Sequence, residues 1–286
     1  MGAVGPVFVQ VCSTGKGAMK ILDKKVTFGV IVGTRGFFNP RLAVEGRREL
    51  LAKLSALGYS HVILPAKATA HQAVETRADA KKCAALFRQH RDRIDGVIVV
   101  LPNFGDELGV VETLDLARLD VPVLVQACSD RLDAVDVAGR RDAFCGKLSV
   151  CNNLYQYGIP FTDTRDHTCD IGSDAFGADL DFFARVCRVV RGLRRARIGA
   201  VGARPAAFQT VRFSEKLLQD SGITVVPVDL SEIISQARQL DDRAKSVQKR
   251  SSEIRDYGSI PARIDPQAVL KQAKLSVVLE RWMAEN

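Results

Sequence analysis

Four short stretches hold the residues of this chain that could bind a ligand. They are Gly33-Thr34-Arg35-Gly36-Phe37-Phe38-Asn39, Pro65-Ala66-Lys67, Pro102-Asn103-Phe104-Gly105-Asp106 and Gln126-Ala127-Cys128. Arg35, Lys67, Asn103 and Gln126 bring amide, ammonium and guanidinium donors, and Phe37 and Phe104 bring apolar walls. That mixture suits a small polyol or an anion. Gly33, Gly36 and Gly105 are accounted for by turns alone. For Arg35, held between two glycines, ligand binding and plain surface charge both fit. Other chemistries lack their patterns. Gly33 to Gly36 is not followed by the Gly-Lys-Ser/Thr of a phosphate loop, and the glycines of Gly199-Ala200-Val201-Gly202 do not have dinucleotide spacing. No Ser/His/Asp or Cys/His set is positioned by a motif, and none of the four histidines stands at a ligand spacing from another His or Cys. Lys147 and Cys151, at i and i+4, would share a helix face, where an ammonium can lower a thiol pKa. A buried structural cysteine is the alternative there. No catalytic residue and no metal ligand is read from these patterns.

Each stretch follows an apolar run. Thr27 to Val32, His61 to Leu64, Gly96 to Leu101 and Val121 to Val125 are rich in β-branched residues and read as buried strands. Helices fill the gaps. Asn39-Pro40 supplies a cap and a first-turn proline for a helix that Gly58 ends. Thr69-Ala70-His71-Gln72 has the form of a capping box and would open a helix running to about Arg93. Asp106 to Leu119 is a third. Alternating strands and helices, with strands apolar on both sides, give a doubly wound parallel α/β sheet, and such a sheet presents ligands beyond the carboxyl ends of its strands.

Gly139 to Phe161 reads as one helix leading out of this first domain, ended at Gly158 and Pro160. Phe144, Leu148, Cys151 and Tyr155 make an apolar stripe. Ser149, Asn153 and Gln156 make a polar one, a solvated face or a surface for sugar hydroxyls or another subunit. A second α/β unit follows. Ser173 caps a helix with the stripe Leu180, Phe183, Cys187, Val190 and a basic face of Arg185, Arg188, Arg191 and Arg195. Strands follow at Arg197 to Val201 and Thr224 to Val228, with helices opening at Pro205, Asp229 and Asp265-Pro266. The domains are therefore set at 26–164 and 165–286, after a weakly determined leader, 1–25, in which Val7 to Val11 suits a short strand. The last helix ends at Asn286 where an α/β unit would add a strand, so the second domain reads as truncated.

Composition bounds the function. At 286 residues two domains are expected. With 47% hydrophobic and 26% charged residues a packed core forms and global disorder is excluded. The net charge of +8 is spread along the chain without basic runs interleaved with aromatics, which argues against nucleic acid as a partner. No apolar run reaches the length of a membrane span. The seven cysteines show no C-x-x-C pair, so reduced thiols in a cytoplasmic protein and no disulfides are expected. The first 25 residues lack the order of a secretory signal.

The stretches VIVGTRGFFNP, VVLPNFGDE, FCGKLSVCNNLYQYGIPF and IGAVGARPAAFQTVRFSEKLLQDSGITV, in this order, resemble the N-terminal part of the L-fucose/L-arabinose isomerase-like proteins, over about residues 26 to 286. The resemblance implies two Rossmann-like domains in tandem and aldose–ketose isomerisation through an enediol, assisted by a divalent metal, typically manganese. The metal ligands of the family lie downstream of the position matching Asn286, so no ligand is carried over, and the chain alone is expected to be inactive. The resemblance also implies a homo-oligomer in which first-domain loops serve a neighbour's active site, and it places Arg35, Asn103 and Phe104 at the sugar. A larger aromatic stands near Phe104 in the fucose isomerases, which leaves the sugar open. The rival class is a non-catalytic sugar-binding or sensor module with two Rossmann-like domains.

Overall fold

The computed structural model describes residues 25–286, so the suggested strand at Val7 to Val11 and Cys12 lie outside the described residues. The chain divides into two compact units, one ending at Gly192 and the other running from Leu193 to Asn286.

The first unit is a Rossmann-like α/β body. Strands β1 (Thr27–Val32), β2 (Ser60–Val62), β3 (Gly96–Leu101), β4 (Val123–Ala127) and β5 (Thr162–Asp163) form one sheet in the order β2-β1-β3-β4-β5. Every pairing is parallel, with Ile31 opposite Val99 and Val99 opposite Val125. All six residues of β1 and of β3 are buried, as strands covered on both faces must be. On one face Ile31, Val97 and Val99 meet Phe87 of helix α2 (Arg77–Gln89), Leu114 of α3 (Glu107–Ala117) and Val150 and Leu154 of α4 (Ala143–Gln156). On the other Phe28, Val30 and Ile98 meet Leu50 and Leu54 of α1 (Pro40–Ala56) and Phe176, Leu180 and Phe183 of α5 (Asp174–Leu193).

Helix α5 corrects the domain boundary set at 164/165. Its apolar side is the cover of the first sheet. A Cβ on Gly96 would come within 2.4 Å of the Cys187 sulfur, so the strand and α5 touch directly. The stripe of arginines is not uniformly solvated either, because Arg191 Nη1 donates to Asp95 Oδ1 at 2.7 Å, and Asp95 Oδ2 accepts from the Thr27 amide at 3.0 Å. This carboxylate, 6% exposed, ties α5 to the entry of β1. Asp95→Asn should cost about 2 kcal/mol, since it exchanges a charge-assisted bond for a neutral one. A lower denaturant midpoint at unchanged slope would show it.

Two further local readings change. The capping box lies at Thr76 and Asp79, where side chain and backbone satisfy each other reciprocally, and not at Thr69. Residues 66–72 form two short 3-10 turns, with His71 and Gln72 both at positive φ (56° and 57°) and the Gln72 carbonyl held by Arg47 Nη1 at 3.2 Å. In α4 the stripe of Phe144, Leu148 and Tyr155 is exposed, while Ala143, Gly146, Lys147, Val150 and Leu154 are buried. Close backbone packing sets that rotation, as described below for Gly146.

In the second unit β6 (Arg197–Val201) and β7 (Thr224–Val228) form a two-stranded parallel sheet separate from the first. Helices α6 (Glu215–Asp220), α7 (Leu230–Gln239), α8 (Lys245–Tyr257) and α9 (Pro266–Glu285) complete it. With two strands the unit holds no doubly wound sheet of its own. Trp282 of α9 covers Gly199, whose Cβ would sit 2.5 Å from the indole. Helix α8, strongly polar and without a reading in the sequence, is fixed through Arg250, which donates to Glu280 of α9 at 2.6 Å. No helix starts at Pro205, and α6 begins only after the Ser214 cap. Among the described residues no helix is long and apolar enough to cross a membrane.

Candidate functional site

In a sheet of order 2-1-3-4-5 the chain reverses direction across the sheet between β1 and β3. The helices that follow these two strands pack on opposite faces of the sheet, and folds of this kind usually bind ligands in the crevice outside the carboxyl ends of such strands. The two loops that leave these strands are Gly33 to Asn39 and Pro102 to Asp106.

They are tied together from beneath. The Gly33 amide donates to the Val100 carbonyl at 2.9 Å, and the Asp106 amide to the Thr34 carbonyl at 3.1 Å. Asn103, fully buried, donates from Nδ2 to Thr34 Oγ1 at 3.0 Å and accepts from the Gly105 amide at 3.2 Å. Its amide thus holds both loops and turns no group to the crevice. Gly105, at φ 69°, adopts the left-handed conformation that glycine tolerates without strain. The Phe104 carbonyl lies directly on Gly146 of α4.

Above this base sits a charged aromatic platform. The Arg35 guanidinium lies 4.4 Å from the centroid of the Phe104 ring. Its Nε is 3.4 Å from Asp106 Oδ2, and its Nη2 donates to Glu107 Oε2. Phe104 stacks on Phe38 at 5.8 Å, and Phe38 meets Phe37 edge-on at 5.6 Å. Arg140 covers the far end, 5.1 Å from Phe37 and 5.3 Å from Phe38. Both cations use the negative face of a ring. Phe37 itself is 73% exposed.

The sequence candidates separate here. Arg35 and Phe104 come together. Asn103 lies beneath them. Lys67 stays exposed on the turn after β2. Gln126, fully buried, donates to the Cys169 carbonyl at 2.6 Å instead of converging on Arg35. Arg35 is also paired, with Asp106 and Glu107. Asp106, Glu107, Phe38 and Arg140 complete the site. Asp106 is visible in the sequence as a helix cap, and it performs that task too, accepting from the Leu108 amide at 2.9 Å through Oδ1. Arg140 carries no signal, since it belongs to a loop far along the chain.

This arrangement can recognise a polyol. Phe37 offers a flat apolar surface for C–H groups, the guanidinium backed by Phe104 is a planar donor, and two carboxylates can accept from hydroxyls. A hard divalent cation needs uncommitted carboxylate oxygens. Asp106 and Glu107 face Arg35, and Glu75 accepts from the Gly36 amide. Among the described residues no group of three His, Cys, Asp or Glu side chains gathers to hold a metal. The residues of this site do not fit such an ion.

Lys147 does not activate Cys151. Its ammonium, nearly fully buried, donates to Thr164 Oγ1 and the His167 carbonyl, each at 2.8 Å, and pairs with Asp163. Burial pushes the Cys151 thiol up to about 11, Asp163 adds to that, and Lys147 opposes it without prevailing. Burial likewise raises Cys169 to about 11, and Cys83 and Cys187 to about 12. The six described cysteines are free thiols, and of these Cys145 is exposed. A thiol reagent at neutral pH should therefore label Cys145 well before the other five. Above pH 9 the unfolded chain loses thiol protons that the native state keeps until about 11 to 12. Stability present below pH 9 should thus fall through that window.

A Rossmann-like sheet with a charged aromatic platform at its switch point is the frame of this chain's candidate site. Residues 29–194 match the fucose/sulfoquinovose isomerase N-terminal domain, and the chain belongs to that family. No curated protein matches the chain.

Proposed function

We propose that this chain carries the sugar-binding loops of an aldose–ketose isomerase of the fucose/arabinose class, acting in cytoplasmic carbohydrate metabolism. The observation that carries the reading is the platform at the β1–β3 switch point, with Arg35 over Phe104 between Asp106 and Glu107. Phe104, stacked on Phe38, backs the Arg35 guanidinium, Arg35 donates to paired hydroxyls, exposed Phe37 offers the apolar wall, and Asn103 serves the substrate by holding both loops in register. By resemblance the assembly is a homo-oligomer in which these loops complete a neighbour's site. The divalent metal, manganese in that class, is held by residues other than those of this platform. It supplies polarisation of the sugar oxygens.

The test is isomerisation in D2O. An aldose panel offered to the oligomeric enzyme with manganese should yield ketose with deuterium at C1, as an enediol that exchanges with solvent requires. Binding of sugars with no conversion in any assembly would leave a non-catalytic sugar-binding module and remove the isomerase reading.

A further inference from the structure

The loop that carries Arg35 is held by a segment from elsewhere in the chain. Val74 adds one rung beside the carboxyl end of β1, in a parallel bridge with Gly33. Its amide donates to the Val32 carbonyl at 2.7 Å, and its carbonyl accepts from the Thr34 amide at 3.3 Å. Glu75 then reaches the loop itself, where its Oε1 accepts from the Gly36 amide. At the other end of that peptide unit, the Arg35 carbonyl accepts from the Phe38 amide at 2.9 Å. Both polar groups of the Arg35–Gly36 peptide are therefore bonded, one within the loop and one to Glu75. The backbone of Glu75 also rests on α3, since a Cβ on Gly109 would stand 2.7 Å from the Glu75 carbonyl oxygen. Helix α3 begins at Glu107, which pairs with Arg35. One residue thus touches both the loop of Arg35 and the helix of its counter-ion. The path into Glu75 is strained. His71 and Gln72 are consecutive non-glycine residues in the left-handed region, a conformation that persists only where its surroundings impose it. Arg47, 8% exposed, secures the turn by donating to the Gln72 and Leu64 carbonyls.

We propose that Glu75 is the positioning residue of the platform. By holding the Gly36 amide it fixes the plane of the Arg35–Gly36 peptide, and with it the place of the guanidinium over Phe104 and between Asp106 and Glu107. A carboxylate that accepts from a backbone amide makes a charge-assisted bond, stronger than the turn alone supplies. Glu75 acts through Arg35 and does not itself meet the ligand. Its effect on sugar binding rests on the sugar-site reading given above, whereas its effect on Arg35 does not.

The test is the arginine Nε–H spectrum of the full chain, with the Arg35 resonance assigned by its loss in Arg35→Lys. In the wild type the Phe104 ring current should displace that resonance. Glu75→Ala should return it toward the position of a free arginine and move the Gly36 amide upfield. Glu75→Gln should recover most of both, because its amide oxygen can accept the same bond. The dissociation constant for an aldose should rise about tenfold in Glu75→Ala and be largely restored in Glu75→Gln. A wild-type measurement needs no variant. The Gly36 amide, though exposed, should exchange with solvent about tenfold more slowly than the Phe37 amide, once intrinsic rates are allowed for. An Arg35 resonance unmoved by Glu75→Ala, or equal exchange at Gly36 and Phe37, would overturn the proposal. Sugar affinity lost equally in both variants with Arg35 unmoved would overturn it too, and would assign the effect to the charge of Glu75. A wild type that binds no aldose would remove the sugar reading, and the Arg35 resonance would still decide the positioning role.

Discussion

Gly146→Ala should abolish the native packing of the first unit, costing more than about 4 kcal/mol. The added Cβ would fall 1.4 Å from the Phe104 carbonyl oxygen and 2.3 Å from its carbon. Both are backbone atoms, so no rotamer change relieves the clash. The Phe104 loop cannot retreat, because Asn103 is bonded to Thr34 and Gly105 beneath it. Helix α4 cannot retreat without opening the contacts of Val150 and Leu154 in the core. Ordinarily alanine stabilises a helix by about 1 kcal/mol over glycine, so the sign of the effect distinguishes close packing from propensity. The expected result is insoluble protein, or a soluble one with a large drop in Tm. A Tm at or above wild type would mean that α4 and the 102–106 loop are farther apart than described.

The second large effect is on catalysis. If the chain acts as the proposed isomerase, Arg35→Ala should lower kcat/KM by about ten- to a hundredfold, the value of one charge-assisted hydrogen bond of roughly 1.5 to 3 kcal/mol. The side chain does three things at once. It donates to substrate in the proposed reading, it stacks on Phe104, and it neutralises Asp106 and Glu107. Arg35→Lys should recover little, because an ammonium lacks the planar fork that spans a ring and two carboxylates. Stability should change by less than about 1 kcal/mol, since the pairs are partly exposed. Loss of activity with an unchanged Tm therefore separates a binding role from a structural one. Mixed oligomers of Arg35→Ala and metal-site mutant subunits should regain activity if the loop acts in trans.

The strands of the first unit are legible because each is a continuous apolar run between turn signals, a pattern that a two-faced parallel sheet requires. The crevice loops follow from those strands. Less was legible where the deciding contact is distant. Helix α5 follows a helix stop and a fresh strand, which reads as a new domain. Its assignment to the first sheet depends on Gly96 and Asp95 meeting Cys187 and Arg191 across the fold. The outward face of α4 has the periodicity of a buried stripe, and only the contact of Gly146 with Phe104 rotates it outward. At the site, Arg35 and Phe104 were found by position at the strand ends. The pairing of Arg140 with Phe37 and Phe38 is not legible, because a cation over a ring leaves no mark in spacing.

The most direct test of the sugar-site reading is an amide-resonance titration of the isotopically labelled chain with an aldose. Affinity is expected near the millimolar range, about −4 kcal/mol, for a sugar held by one side of a site. The account predicts shifts confined to residues 33–39 and 102–107, saturating with one affinity and abolished by Arg35→Ala while the rest of the spectrum is retained. Shifts confined to other surfaces, or none at saturating sugar, would contradict it.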